Sequence, residues 1–282
     1  MLVYLDSRDL INLIEKSHPC SADRFRKVLE DKAHQLVVSR STICEISYPL
    51  LVNNAKTNVM RLLNQIEAMP LRYIAEGHIL PLELKEALNA FSEKREFRQV
   101  SPFVNRFDET LMKLGETSPT KIFLNLGLGE TVFMLWQDGR VLEPLQEHAQ
   151  HLRKLLSKDR KLSKTPTLKE HFIVTTERDL TSCNLPVPEQ LREFGQWIYE
   201  KPTRCPSKRL RYEIFHSIRK NIGDIPKDTD IDDFFHIQCL SYVDLITLDR
   251  RMRDYVSRSS HATGLRYETG LCADVQEVLD RL

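Results

Sequence analysis

Three short apolar runs, each stopped by polar or acidic residues and coupled to a helical spacing, constrain the fold of this chain more than any other feature. "LVYL" at the start closes on Asp6 and Ser7, and "RDLINLIEK" follows with Leu10, Ile11, Leu13 and Ile14 at helical intervals. "HQLVVSRSTICEIS" repeats the pattern: a strand at Gln35 to Ser39, Ser41 as the helix N-cap, and Glu45 in the first helical turn. Pro49 is predicted to kink or interrupt that helix. Near the other end, "DDFFHIQCL" reads as a helix started by Asp233, and "VDLITLD" as a strand ending in Thr247-Leu248-Asp249. Unbroken β-branched runs suit strands buried on both faces, and their alternation with helices predicts an α/β protein with a parallel sheet. Ligands of such sheets bind beyond the carboxyl ends of the strands. Asp6, Glu45 and Asp249 all fall there, whereas Asp244 belongs to the opposite end.

Residues 55–225 have a different texture. Charged amphipathic helices dominate, as in "NVMRLLNQIEAM" and "PLELKEALNAFSEKREF", and only "EHFIVTTE" offers a further strand. The pattern therefore predicts one α/β domain assembled from residues 1–54 and 226–282, interrupted by a helical insertion at 55–225. "GLRYETGLCADVQEVLDRL" adds a last strand and helix. Domain insertion of this kind is tolerated where the host's ends stay close together.

Four acids, Asp6, Glu45, Asp233 and Asp249, are thus predicted to converge on one rim. Crowded carboxylates repel one another unless a cation neutralises them. Oxygen ligands suit Mg2+ or Mn2+. Each acid also has a plainer reading: Asp6 as a helix cap, Glu45 and Asp233 as acids favoured by a helix dipole, and His236 as a satisfied core histidine. Asp230 and Asp232 remain substitutes for Asp233.

These pieces resemble the PIN domain family of metal-dependent nucleases, known as RNA-cleaving toxins and RNA-processing enzymes. "YLDSRDLINLIE", "VVSRSTICEIS" and "DDFFHIQCL…VDLITLD" carry the resemblance; Asp233 with His236 matches the family's D-x-x-H helix, and Thr247-x-Asp249 its T-x-D strand end. The long insertion departs from the family pattern. What the resemblance implies is a PIN-like parallel sheet flanked by helices and hydrolysis of phosphodiesters, in RNA more than in DNA. Mg2+ or Mn2+ would sit on Asp6, Asp233 and Asp249, with Glu45 holding a metal-bound water and Thr247 bonding a carboxylate or the attacking water. It also implies a nucleic-acid substrate, single-stranded or structured RNA, along with an inhibitory protein partner and a homodimer as expectations. A catalytically inactive module of the same fold, binding RNA or protein through the insertion, is the alternative, and a flap-type DNA nuclease is a second one.

Overall charge does not decide among these, because Lys plus Arg at 41 nearly cancel Asp plus Glu at 40. Local charge is more informative. "HLRKLLSKDRKLSKTPTLKEH" and "KPTRCPSKRLRYEIFHSIRKN" are basic, so Lys208, Arg209 and Arg211 are candidate phosphate contacts and Tyr212 a base-stacking platform. Arg250 and Arg251 adjoin the acidic rim. "LNLGLGETVFMLW" lacks the lysine and glycines of a phosphate loop and reads as an ordinary helix start at Glu130. Scattered cysteines without a C-x-x-C pair, and an N-terminus that reaches Asp6 within a few residues, predict a reduced, soluble, cytoplasmic protein with no membrane partner.

Overall fold

The structure is a computed structural model that describes residues 1–15, 20–111, 126–137, 168–221, 230–263 and 269–282. It begins with β1 (Leu2–Tyr4), α1 (Ser7–Ile14), α2 (Ala22–Asp31), β2 (Gln35–Ser39), α3 (Arg40–Val52) and α4 (Lys56–Glu67). β3 (Leu71–Ile74), α5 (Glu76–Ser92), β4 (Phe103–Val104) and α6 (Leu128–Gln137) come next. Then follow α7 (Leu168–Ser182), α8 (Leu191–Glu200), α9 (Pro206–Lys220) and α10 (Asp230–Gln238). β5 (Leu245–Thr247), α11 (Arg250–Thr263), β6 (Gly270–Cys272) and α12 (Val275–Arg281) complete the chain.

The strands form one six-stranded sheet in the order β4-β3-β2-β1-β5-β6. Every pairing is parallel except β3 with β4. Successive strand residues face opposite sides, and the sequence obeys that period. Val3, Leu5, Leu36, Val38 and Leu245 enter one core with α1, α2, α3, α4, α6 and α12. Tyr4, Val37 and Ile246 enter the other, with α5, α9, α10 and α11. The result is an α/β fold with helices on both faces of the sheet.

A third apolar cluster joins the far half of α5 (Leu84, Leu88) to Phe172 and Leu180 of α7 and Phe194 and Ile198 of α8. Glu83, wholly buried, ties this cluster to Tyr242 of the second core. It accepts hydrogen bonds from Ser207 N (3.1 Å), Ser207 Oγ (2.7 Å) and Tyr242 OH (2.8 Å). Burial pushes its carboxyl above the ordinary range, against those donors.

Several sequence expectations need correction. The span 55–225 is mostly helical, but β3 and β4 of the common sheet lie inside it, so 54 and 226 are not the limits of the sheet-bearing unit. "LRYI" hides its strand character because only Ile74 is fully buried. "EHFIVTTE" belongs to helix α7. Phe172, Thr176 and Leu180, four apart, are buried, whereas Val174, which a strand would turn the same way as Phe172, is 67% exposed. The α3 cap is Ser39, whose side chain accepts from Thr42 N. Ser41 instead donates its amide (2.8 Å) and hydroxyl (2.9 Å) to buried Glu76. The helix runs past Pro49 to Val52, and α10 begins at Asp230 rather than at Asp233. Asp244 does mark the opposite end of the sheet, accepting from Leu2 N at 2.6 Å. Among the described residues, no helix is long and apolar enough to cross a membrane.

Candidate metal centre at the carboxyl edge of the sheet

From β1 the chain proceeds outward to β2, β3 and β4, then returns to the other side of β1 as β5 and β6. Crossovers that diverge from one central strand open a crevice at its carboxyl end, the usual ligand position in an open α/β sheet. β1 pairs in parallel with both β2 and β5, with Tyr4 opposite Val37 and Ile246. Residues just past Tyr4, Ser39 and Ile246 are therefore brought to one edge.

Asp6 leads that edge. It occupies the N-cap position of α1 but makes no side-chain cap bond, so the simple capping role does not account for it. Its amide donates to Thr247 Oγ1 at 2.7 Å, which fastens β1 to the end of β5. Ser7 Oγ donates to Asp6 Oδ1 at 3.2 Å and also contacts Glu45 Oε2.

Glu45 is the sixth residue of α3, beyond the first turn in which the helix dipole favours an acid. Its Oε1 accepts from His236 Nε2 at 3.0 Å. His236, on α10, is 3% exposed, and its Nδ1 bonds Tyr4 OH. Tyr4 OH also lies 2.8 Å from both Ser39 Oγ and Thr42 Oγ1. A continuous hydrogen-bonded path thus runs from the core through Tyr4, His236, Glu45 and Ser7 to Asp6. Burial favours neutral groups, but the charge pairing outweighs it for both partners. The Glu45 carboxyl is held below its ordinary value, with the charge and hydrogen bond of His236 and the Ser7 bond overcoming desolvation. His236 is raised to about 9, desolvation being overcome by Glu45 and by the charges of Asp6 and Asp233.

Ligand atoms of Asp6, Glu45 and His236 lie within 4.8 Å of one another. This is the set that can hold a divalent ion. Asp233 stands one turn before His236 and acts on it electrostatically, but it does not join the set. Nor does Asp249, whose Oδ1 accepts from Met252 N at 2.7 Å and so caps α11. Among the described residues, the close group thus comprises Asp6, Glu45 and His236, and of the expected trio of Asp6, Asp233 and Asp249 it includes only Asp6. Asp249 uses Oδ1 as a helix cap, and Asp233 lies near enough for its charge to act on His236.

No family model, no curated protein and no solved structure matches the chain.

Two acids at this edge escaped the sequence reading. Asp9, one turn after Asp6, is 6% exposed, and among the described residues its Oδ2 has no hydrogen-bond partner. Burial pushes its carboxyl up, as do the charges of Asp6 and Asp274, while the Thr247 hydroxyl and Arg8 act the other way. Asp274 follows β6 and caps α12 through Glu277 N at 3.0 Å. The spacing of Asp6 and Asp9 in one first turn was the available signal.

The basic candidates divide. Lys208 is 2% exposed, with its ammonium paired to Asp179 and 4.5 Å from the Phe172 ring centroid. Arg209 is buried on Glu213 (3.0 Å) and stacked 3.8 Å over the Tyr199 ring. Arg211 also faces Asp179, and Tyr212 bonds His171 and packs edge-on against Phe172. Lys208 and Arg209 are thus buried in an internal network of α7, α8 and α9, with Arg211 and Tyr212 half-buried beside them, so these residues do not form the open phosphate-binding face expected of them. Arg250 is exposed and Arg251 half-buried beside Tyr255, both in the first turn of α11 directly after Asp249. The other basic stretch lies mainly outside the described residues. Glu130, exposed in the first turn of α6, fits an ordinary helix start.

Proposed function

We propose that this protein is a PIN-like, divalent-metal-dependent nuclease that hydrolyses phosphodiester bonds, in RNA more than in DNA. The observation that carries the reading is the meeting of Asp6 and Glu45, from two separate strand–helix units, with His236 at the carboxyl edge of a parallel sheet. Their donor set fits a divalent cation: two carboxylates and one imidazole, with ligand atoms close enough to share an ion. An ion bound there supplies a water of lowered pKa and offsets charge on the phosphorane-like transition state.

The chain's own residues do the rest. Asp6 is kept open toward the crevice because its backbone, not its carboxylate, bonds the neighbouring strand. Glu45 is held by His236 and Ser7 at the same edge. Arg250 and Arg251 sit where a helix N-terminus favours acids, an arrangement that lends itself to a phosphate partner. The preference for RNA rests on the resemblance of the strand ends and the D-x-x-H helix to the PIN family.

A second reading, a non-catalytic module of the same shape, draws on one observation: both Glu45 oxygens already have partners. Cleavage of mixed RNA and DNA with Mn2+, comparing wild type with Asp6→Asn, separates the two. Cleavage by wild type alone supports the nuclease. Equal cleavage by both removes Asp6 from the reaction, and none by either leaves the binding module ahead.

A further inference from the structure

We propose that Glu76 is a positioning residue of the site: its buried carboxylate fixes the first turn of α3, and through that turn it sets both Glu45 and His236. The proposal rests on the active-site reading above and adds to it a residue that acts through others.

Glu76 is the first residue of α5 and 4% exposed. An acid there suits the dipole of its own helix, but its oxygens are committed to another one. Oε2 accepts from Arg40 N at 3.0 Å, and Oε1 from Ser41 N at 2.8 Å and Ser41 Oγ at 2.9 Å. Strand register makes this possible. β2 and β3 end side by side, with Ser39 opposite Ile74, so α3 and α5 start next to each other. α3 has no acid in its own first turn. The first amides of a helix have no partner within it. Glu76 takes two of them, and Ser39 Oγ takes Thr42 N at 3.2 Å.

Both members of the Glu45–His236 pair are supported by that turn. Glu45 follows Ser41 by four residues, one turn on along the same face of α3. His236 is held from the other side: its Nδ1 bonds Tyr4 OH, which lies 2.8 Å from both Ser39 Oγ and Thr42 Oγ1. A shift at the start of α3 therefore carries the acid along the helix and moves the imidazole through Tyr4, by different paths. The 3.0 Å contact between the two, and their closeness to Asp6, depend on the turn staying where Glu76 holds it.

The test compares wild type with Glu76→Gln and Glu76→Ala, by crystal structure and by RNA cleavage with Mn2+. Gln keeps one oxygen for Ser41 and turns an amide NH2 toward Arg40 N, donor against donor; Ala removes every acceptor. The Glu45–His236 contact should lengthen in Glu76→Gln and be lost in Glu76→Ala. The accompanying fall in kcat should be about tenfold and about 100-fold, the latter being the cost of a misplacement of roughly 1 Å. Glu83→Gln, which alters another buried carboxylate two turns further along α5, should leave the contact and the rate as in wild type. An unchanged contact in Glu76→Ala, or an equal disturbance in Glu83→Gln, overturns the proposal. If Glu76→Ala does not fold, Glu76→Gln is read in its place by the same criteria. If wild type does not cleave, the nuclease reading falls, and the crystal structures still decide the role of Glu76.

Discussion

His236 Nε2 lies 3.0 Å from Glu45 Oε1 although 191 residues separate them in the chain. The pair brings α10 and α3 together over the end of β1, and its charge state follows from burial opposed by mutual attraction. His236 is raised from 6.5 to about 9 in the folded state. Its contribution to stability is therefore complete below pH 6.5 and lost as pH rises through about 9. Glu45 is lowered from 4.5, so its contribution is present above 4.5 and lost as pH falls through the depressed value. Urea midpoints measured from pH 6 to 10 should decline across the upper window in wild type, and His236→Gln should flatten that decline. An equal decline in both proteins would mean that other groups cause it.

Asp6 and Asp249 both follow strands, but only Asp249 uses its carboxylate as a cap. Asp249→Ala should cost about 1 kcal/mol, the usual value of an N-cap. Asp6→Ala should change stability by less than about 0.5 kcal/mol and still remove metal-dependent cleavage. Denaturant unfolding and cleavage assays on the two variants check the contrast. A large stability loss on removing Asp6 would make it structural.

Lys208 and Arg250 should part in the same way. Lys208→Ala leaves Asp179 with only Arg211, at 3.8 Å, and should lose about 3 kcal/mol, the low end of the range for breaking a buried pair. Arg250→Ala should leave the melting temperature unchanged, weaken RNA binding and reduce its salt slope by about one. Fluorescence anisotropy across a salt series reads the second effect. An unchanged slope would take Arg250 out of the interface.

Glu83 anchors the helical layer through Ser207 and Tyr242. Tyr242→Phe deletes one donor and should cost about 1 kcal/mol, whereas Glu83→Ala leaves several buried donors unsatisfied and should cost about 3 kcal/mol or more. Urea unfolding ranks the two, and the reverse order would mean that Glu83 is not the hub of this junction.

Local pattern was enough for β1, β2 and β5, because strands buried on both faces must be apolar along their whole length, and for the placement of Asp6 and Glu45 beyond strand ends. The alternation of strand and helix patterns also implied an α/β protein with a parallel sheet. It could not reveal β3, whose mixed burial leaves no apolar run, or the helical state of "EHFIVTTE", where neighbouring helices decide which face is covered. Nor could it tell Asp6 from Asp249: a carboxylate's freedom depends on whether a nearby amide claims it, and the following backbone settles that. Least legible of all was His236. Its tie to Tyr4 and Glu45 exists only once α10 is laid across the end of β1, since no local spacing encodes a contact between residues brought together by packing.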